Sequence, residues 1–133
     1  MVATGSCLCG EVAYEYSGCF EKFFLCHCKY CRKDSGSAHT ANLFGKGGEL
    51  VWLRGRDKVS VFTLPRTRHQ RSFCKQCGSA LPYVLNEGDQ FVVPAGSLDT
   101  DVGLVPQGHI FMANKANWDA GLHDVACFAK FPS

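Results

Sequence analysis

Seven of the nine cysteines fall into three short groups, and these are the residues whose type and spacing could do metal chemistry. Two groups are pairs followed directly by glycine, Cys7-Leu-Cys9-Gly10 and Cys74-Lys-Gln-Cys77-Gly78. Zinc takes four ligands in a tetrahedron with Zn–S bonds of ~2.3 Å, so its sulfur ligands lie about 3.8 Å apart. Cysteines this close in sequence reach that distance only where the backbone turns sharply, and a following glycine suits such a turn.

These two pairs predict one closed, structural zinc site made by Cys7, Cys9, Cys74 and Cys77. Four free cysteines in the core are the simpler alternative. Redox chemistry through Cys74 and Cys77 is a further alternative, but no βαβ pattern surrounds this pair to favour it.

The third group is Cys26-His27-Cys28-Lys29-Tyr30-Cys31, which offers three cysteines and no obvious fourth ligand. Zinc with three protein ligands is typical of catalytic sites, where the fourth position takes water or substrate. Three thiolates make the ion a weaker Lewis acid than three histidines would, but they leave it able to accept a soft thiolate. Cys26, Cys28 and Cys31 are therefore the candidate catalytic residues as well as metal ligands.

Histidine is the alternative fourth ligand of this second site. His27 lies between two candidate ligands, but neighbours in an extended segment point to opposite sides, so we expect it to point away from the metal. The other histidines that could approach are His39, His69, His109 and His123. Nearby cations could offset the thiolate charge and attract an anionic ligand, or could simply be solvated; they are Lys29, Arg32 and Lys33.

The elements that would position these groups are mostly strands. Short stretches rich in Val, Phe, Tyr and Leu between glycine-containing turns predict strands at residues 11–16, 23–26, 40–44, 50–53, 58–64, 69–73, 81–85, 91–95 and 109–113. One helix is predicted at Lys29–Ser35, ending at Gly36. Trp52, Trp118 and the phenylalanines are expected in the core, and Cys19 and Cys127 are expected to be inert, small apolar residues.

Length and composition limit the class of protein. With 133 residues and no linker or repeat, we expect one zinc-binding domain over residues 1–133. No apolar run is long enough for a membrane span, and the N-terminal residues lack a signal-peptide pattern, so we expect a soluble cytoplasmic protein. An odd cysteine count in a reducing compartment favours metal over disulfides. The formal charge of +2 falls below zero once thiolates bind zinc, so it does not favour a nucleic-acid partner.

The order of the motifs resembles a known family. Ser6-Cys-Leu-Cys-Gly10 is followed by Cys26-His-Cys-x-x-Cys-Arg-Lys33, then by Phe73-Cys-x-x-Cys-Gly78, Ala95-Gly-Ser-Leu-Asp99 and His109-Ile-Phe111. Over most of its length the chain resembles the glutathione-dependent formaldehyde-activating enzymes, a family that includes centromere protein V-like proteins.

This resemblance implies a β-tent fold of short antiparallel sheets crosslinked by two zinc ions. It assigns Cys7, Cys9, Cys74 and Cys77 to the structural zinc, and Cys26, Cys28 and Cys31 to the catalytic zinc. It implies carbon–sulfur lyase chemistry, in which a thiol such as glutathione adds to formaldehyde or another small aldehyde. A non-catalytic zinc-stabilised binding module and a thiol or zinc sensor are the alternatives, and a fourth protein ligand on the second zinc would favour the module.

Overall fold

Strands form most of the regular structure in residues 2–85 and 88–132, the part of the chain that the computed structural model describes. The strands are β1 (Ala3–Ser6), β2 (Ala13–Tyr16), β3 (Cys19–Cys26), β4 (Thr40–Lys46), β5 (Leu50–Arg54), β6 (Val59–Thr63), β7 (Gln70–Cys74), β8 (Ala80–Leu81), β9 (Tyr83–Leu85), β10 (Gln90–Pro94) and β11 (Gly108–Ile110). The mostly β prediction is confirmed, because each predicted stretch overlaps a strand.

The strands form three small sheets with the orders β1-β2-β5, β11-β3-β4-β10-β9 and β6-β7-β8. Neighbouring strands run antiparallel except for β11, which pairs in parallel with the end of β3 and so places Ile110 opposite Cys26. β1 was missed at the sequence level, because Ala3-Thr-Gly-Ser6 has no large apolar residue. Its pairing with the buried strand β2 stabilises β1, although β1 itself has no large apolar side chains.

The helix α1 (Lys29–Ser35) begins and ends at the predicted residues. Cys28 is its N-cap, and the Cys28 side chain accepts a hydrogen bond from the backbone N–H of Cys31. Gly36 ends the helix in the left-handed conformation at φ +63° and donates its N–H to the carbonyl of Arg32. A cysteine cap of this kind places one candidate ligand directly against another.

The core lies where the three sheets meet, and it includes two candidate ligands. Cys7 and Cys74 are buried in the same apolar cluster as Val12, Tyr14 and Leu43. Burial raises the pKa of Tyr14 to about 12, and its hydroxyl lies 2.6 Å from Oγ of Ser97. Two members of the first cysteine group are therefore part of the core, whereas Cys9 is exposed.

Some residues expected in the interior are at the surface. Trp52 packs against the core and against the ring of Tyr14, but Trp118 is 56% exposed because it lies in the irregular C-terminal segment. Cys19 and Cys127 are also exposed, so their expected role as small apolar packing residues is wrong. In the described residues, no helix is long and apolar enough to cross a membrane.

Candidate metal centres and active site

The first cysteine group brings four sulfurs together from the two halves of the chain. Sγ of Cys9 lies 3.5 Å from Sγ of Cys7 and 3.9 Å from Sγ of Cys74. With Cys77, all four sulfurs lie within 4.8 Å of one another. These distances match the separation of about 3.8 Å between the sulfurs of a tetrahedral zinc site. The four cysteines could hold a metal ion with every position filled by protein.

Two tight turns, each closed by a glycine N–H, present these sulfurs. In one, the Gly10 N–H donates to the carbonyl of Cys7; in the other, the Gly78 N–H donates to the carbonyl of Cys74. Gly10 has φ +80° and Gly78 has φ +78°, a region that side-chain-bearing residues rarely adopt. The sharp turn expected after each pair is therefore present.

The second cysteine group lies at the junction of β3 and α1. Cys26 ends β3, Cys28 caps α1, and Cys31 lies in the first turn of that helix. Their three sulfurs lie within 4.8 Å of one another. Burial raises the pKa of the Cys26 and Cys31 thiols. Three partly desolvated thiolates need a compensating cation, so the donor set fits a bound zinc ion.

This second group has no fourth protein ligand in residues 2–85 and 88–132, because no histidine or carboxylate joins the three sulfurs within 4.8 Å. His27, which is 1% exposed, is held elsewhere. Its Nε2 forms a 2.8 Å hydrogen bond with Nδ1 of His109. Its Nδ1 lies 2.8 Å from Oδ2 of Asp119, but this second contact lacks the alignment of a hydrogen bond. The first cysteine group therefore offers four candidate ligands and the second offers three.

A cleft of about 610 Å³ opens beside the second group and includes all three of its cysteines in the lining. Apolar side chains form part of the wall; they are Phe24, Phe44, Leu81, Ile110 and Phe111. The polar part of the wall includes Asp34, His39, His69, Arg71 and Tyr83. Convergent polar groups in a partly apolar cleft beside metal-ligand residues are typical of an active site.

Tyr83 supplies a hydroxyl group in this cleft. Burial, and then the negative charge of Cys31 and Asp34, raise the pKa of Tyr83 to about 12. The phenol is therefore protonated at neutral pH and remains a hydrogen-bond donor. The sequence alone does not indicate this donor, because Tyr83 is far along the chain from the cysteines and the pairing of β9 in the five-stranded sheet brings it near them.

The positively charged side chain that lines the cleft is not one of the three that the sequence suggested as candidates. Among the lysines and arginines of the described residues, Arg71 lines the cleft, whereas Lys29, Arg32 and Lys33 do not. Arg71 donates to the Gly78 carbonyl through Nη2 and lies over the Phe73 ring at 5.2 Å. Lys29 and Lys33 are exposed, which favours the alternative that these side chains are solvated.

The histidines divide between cleft and surface. His39 and His69 line the cleft, whereas His123 is 84% exposed beside Asp124. Burial lowers the pKa of His39, and the neighbouring His27 and His109 lower it further. The rings of His27 and His39 lie at a centroid distance of 5.0 Å and form a small histidine cluster.

The sequence matches a known protein family, and the fold matches a solved structure. Residues 2–114 match the family described as "Glutathione-dependent formaldehyde-activating enzyme". The fold is similar to a crystal structure of a Rhodobacter sphaeroides protein, with a TM-score of 0.61 and 21% sequence identity. That match covers 77% of this chain and 97% of the other.

Proposed function

This chain belongs to the glutathione-dependent formaldehyde-activating enzyme family, and on that premise we propose that it is a zinc-dependent carbon–sulfur lyase. It joins or splits a thiol of the glutathione type and a small aldehyde. The observation that carries this proposal is the group of three cysteines, without a fourth ligand in the described residues, that opens into the 610 Å³ cleft.

The proposal assigns two zinc ions to the seven clustered cysteines. The structural ion belongs to Cys7, Cys9, Cys74 and Cys77, and the catalytic ion to Cys26, Cys28 and Cys31. A zinc ion in the second group supplies one exchangeable position and lowers the pKa of a thiol that occupies it. This assignment is supported by the cleft, which is lined by all three cysteines and by both polar and apolar side chains.

The protein's own side chains then bind and orient the two reactants. The S–H bond of the thiol breaks, a bond forms between sulfur and the aldehyde carbon, the π pair of the C=O bond moves to oxygen, and the proton lost from sulfur is returned to that oxygen to give the hydroxymethyl adduct. The phenol of Tyr83 donates a hydrogen bond to that oxygen as its negative charge develops. Arg71 attracts a carboxylate of the thiol, and Phe24 and Phe44 exclude water from the aldehyde.

The test is the rate of formaldehyde exchange with its glutathione adduct, followed by proton NMR with zinc-loaded protein. The adduct forms spontaneously, so only a rate above the protein-free control counts. We expect Cys28→Ala to abolish both thiol binding, measured by calorimetry, and the rate enhancement. Cys127→Ala is the matched control, because this exposed cysteine lies outside both groups and its loss leaves the rate unchanged.

The two alternatives predict different results. Thiol binding without rate enhancement would contradict the lyase and favour a sensor. Neither binding nor enhancement in the wild-type protein would favour a binding module whose two zinc ions are both structural.

A further inference from the structure

An aspartate–histidine pair lies in the wall of the cleft, apart from the cysteine groups. Nε2 of His69 lies 2.6 Å from Oδ2 of Asp34, and both side chains are about one-fifth exposed. Both residues line the cleft together with Cys26, Cys28 and Cys31. Asp34 and His69 are distant in sequence, so the fold brings this pair to the candidate active site.

The fold ties this pair to the second cysteine group through the helix α1. Asp34 follows Cys31 by one helical turn, and residues three apart on a helix are neighbours on its surface. His69 directly precedes β7, and its backbone is held by two hydrogen bonds: its N–H donates to Oγ1 of Thr67, and its carbonyl accepts from the N–H of Leu64. The ring of Tyr30 packs against the His69 ring at a centroid distance of 5.3 Å.

The contact with Asp34 determines which tautomer a neutral His69 imidazole adopts. A carboxylate accepts a hydrogen bond, so a neutral His69 donates its N–H through Nε2 and keeps Nδ1 as a proton acceptor. In the described part of the chain, the His69 ring makes its hydrogen bond through Nε2 alone. Orientation of a histidine by a carboxylate is a recurring arrangement in general acid–base catalysis.

The other histidines near the cleft lack this arrangement. His27 is buried and does not line the cleft, and its contact with the Asp119 carboxylate lacks the alignment of a hydrogen bond. His39 lines the cleft, but its Nδ1 is buried without a hydrogen-bond partner in the described residues, and no carboxylate orients it. His69 is therefore the histidine with both access to the cleft and a positioned ring.

We propose that His69, positioned by Asp34, is the acid–base residue of the cleft. This inference rests on the proposed thiol–aldehyde lyase activity and adds a proton path to it. His69 accepts the thiol proton at Nδ1 as the S–C bond forms, and gives the same proton to the oxygen of the hydroxymethyl product. One S–H bond and one C=O π bond are lost, one S–C and one O–H bond are formed, and no other reactant is required. Splitting of the adduct uses the same steps in reverse.

The first test is His69→Gln, whose amide can still donate to Asp34 but cannot carry a proton. We expect the enzymatic rate to fall on the order of 10²-fold, the usual scale of a general acid–base contribution. Zinc content, melting temperature and thiol affinity should equal those of the wild type. His123→Gln is the matched control, because it changes a surface histidine beside an aspartate, and its rate should stay unchanged.

The second test needs no variant. Nitrogen-15 NMR of the zinc-loaded wild-type protein reports which ring nitrogen of His69 carries the proton. We expect the Nε2–H tautomer with Nδ1 unprotonated. A predominant Nδ1–H tautomer would overturn the inference, even if His69→Gln failed to fold.

Asp34 is a positioning residue, so its variants should act through His69. Asp34→Asn should lower the rate about tenfold and populate the second tautomer of His69, while Asp34→Glu should restore part of the rate. Rates of both Asp34 variants equal to the wild type would contradict the positioning role. A His69→Gln rate within twofold of the wild type would overturn the inference and leave the lyase proposal standing. No rate enhancement by the wild type would overturn both.

Discussion

The two cysteine groups use the same side chain in different surroundings. Cys7 and Cys74 of the first group are buried among core side chains, and their four-sulfur cluster joins the end of β1 to the end of β7. The second group has three sulfurs, lies at the junction of β3 and α1, and faces a cleft. A closed donor set in the core serves stability, whereas an incomplete donor set beside a cleft leaves room for chemistry.

The largest effect expected from this difference between the two groups is on folding. Cys74→Ala removes a proposed zinc ligand that is also a fully buried core residue, and structural zinc contributes on the order of 10 kcal/mol to the folding of small domains. We expect insoluble or molten protein from Cys74→Ala and a cooperative thermal transition from Cys28→Ala. Circular dichroism melts compare the two, and equal damage would contradict the division into structural and functional sites.

The two cysteine groups should also differ in how firmly they retain zinc. We expect close to two zinc ions per chain after careful preparation, because seven cysteines form two donor sets. Mild chelation should remove the ion of the three-cysteine group first, since it has fewer protein ligands. Elemental analysis would then find about one ion per chain in folded protein. Joint loss of both ions, or disulfides in place of metal, would contradict this.

The rate should depend strongly on the hydroxyl of Tyr83. Tyr83→Phe keeps the ring but removes the donor, so we expect a loss on the order of 10²-fold in the enzymatic rate with unchanged zinc content. Tyr16→Phe is the matched control. It removes a buried hydroxyl bonded to the Gly47 carbonyl, outside the cleft, and should lower stability without lowering the rate. An unchanged rate in Tyr83→Phe would remove this residue from the mechanism.

A smaller effect is expected from the cation of the cleft. Arg71→Gln should raise the KM for glutathione about fivefold, the modest scale of a partly exposed charge pair. Arg68→Gln is the control, because Arg68 is exposed and does not line the cleft. A melting temperature is needed beside each KM, since Arg71 also donates to Gly78, next to the first cysteine group. Equal KM values for the two variants would place the carboxylate elsewhere.

The sequence was most informative where one local pattern determines the structure. Metal-type cysteine spacing identified both clusters, and the glycine after each pair and the start and end of α1 follow from backbone preferences that neighbouring residues reveal. Short apolar stretches located the other strands, but β1 can be recognised only when its pairing with β2 is known.

The rest of the site depends on contacts between distant segments. Nothing near Tyr83 or Arg71 in the sequence shows that these residues line the cleft, because strand pairing in two different sheets places them there. The Asp34–His69 contact likewise joins a helix to the segment before β7. Exposure of Trp118 was also not predictable, since residue type alone does not show that the C-terminal segment lies outside the core.

The most direct test of the central claim is zinc K-edge X-ray absorption on the two-zinc protein, with and without glutathione. One four-cysteine and one three-cysteine site predict an average of about 3.5 sulfur ligands per zinc, rising to about 4 when the thiol binds. In Cys28→Ala the glutathione-dependent rise should be absent. A histidine nitrogen on the second zinc, with a sulfur count that glutathione leaves unchanged, would contradict the account.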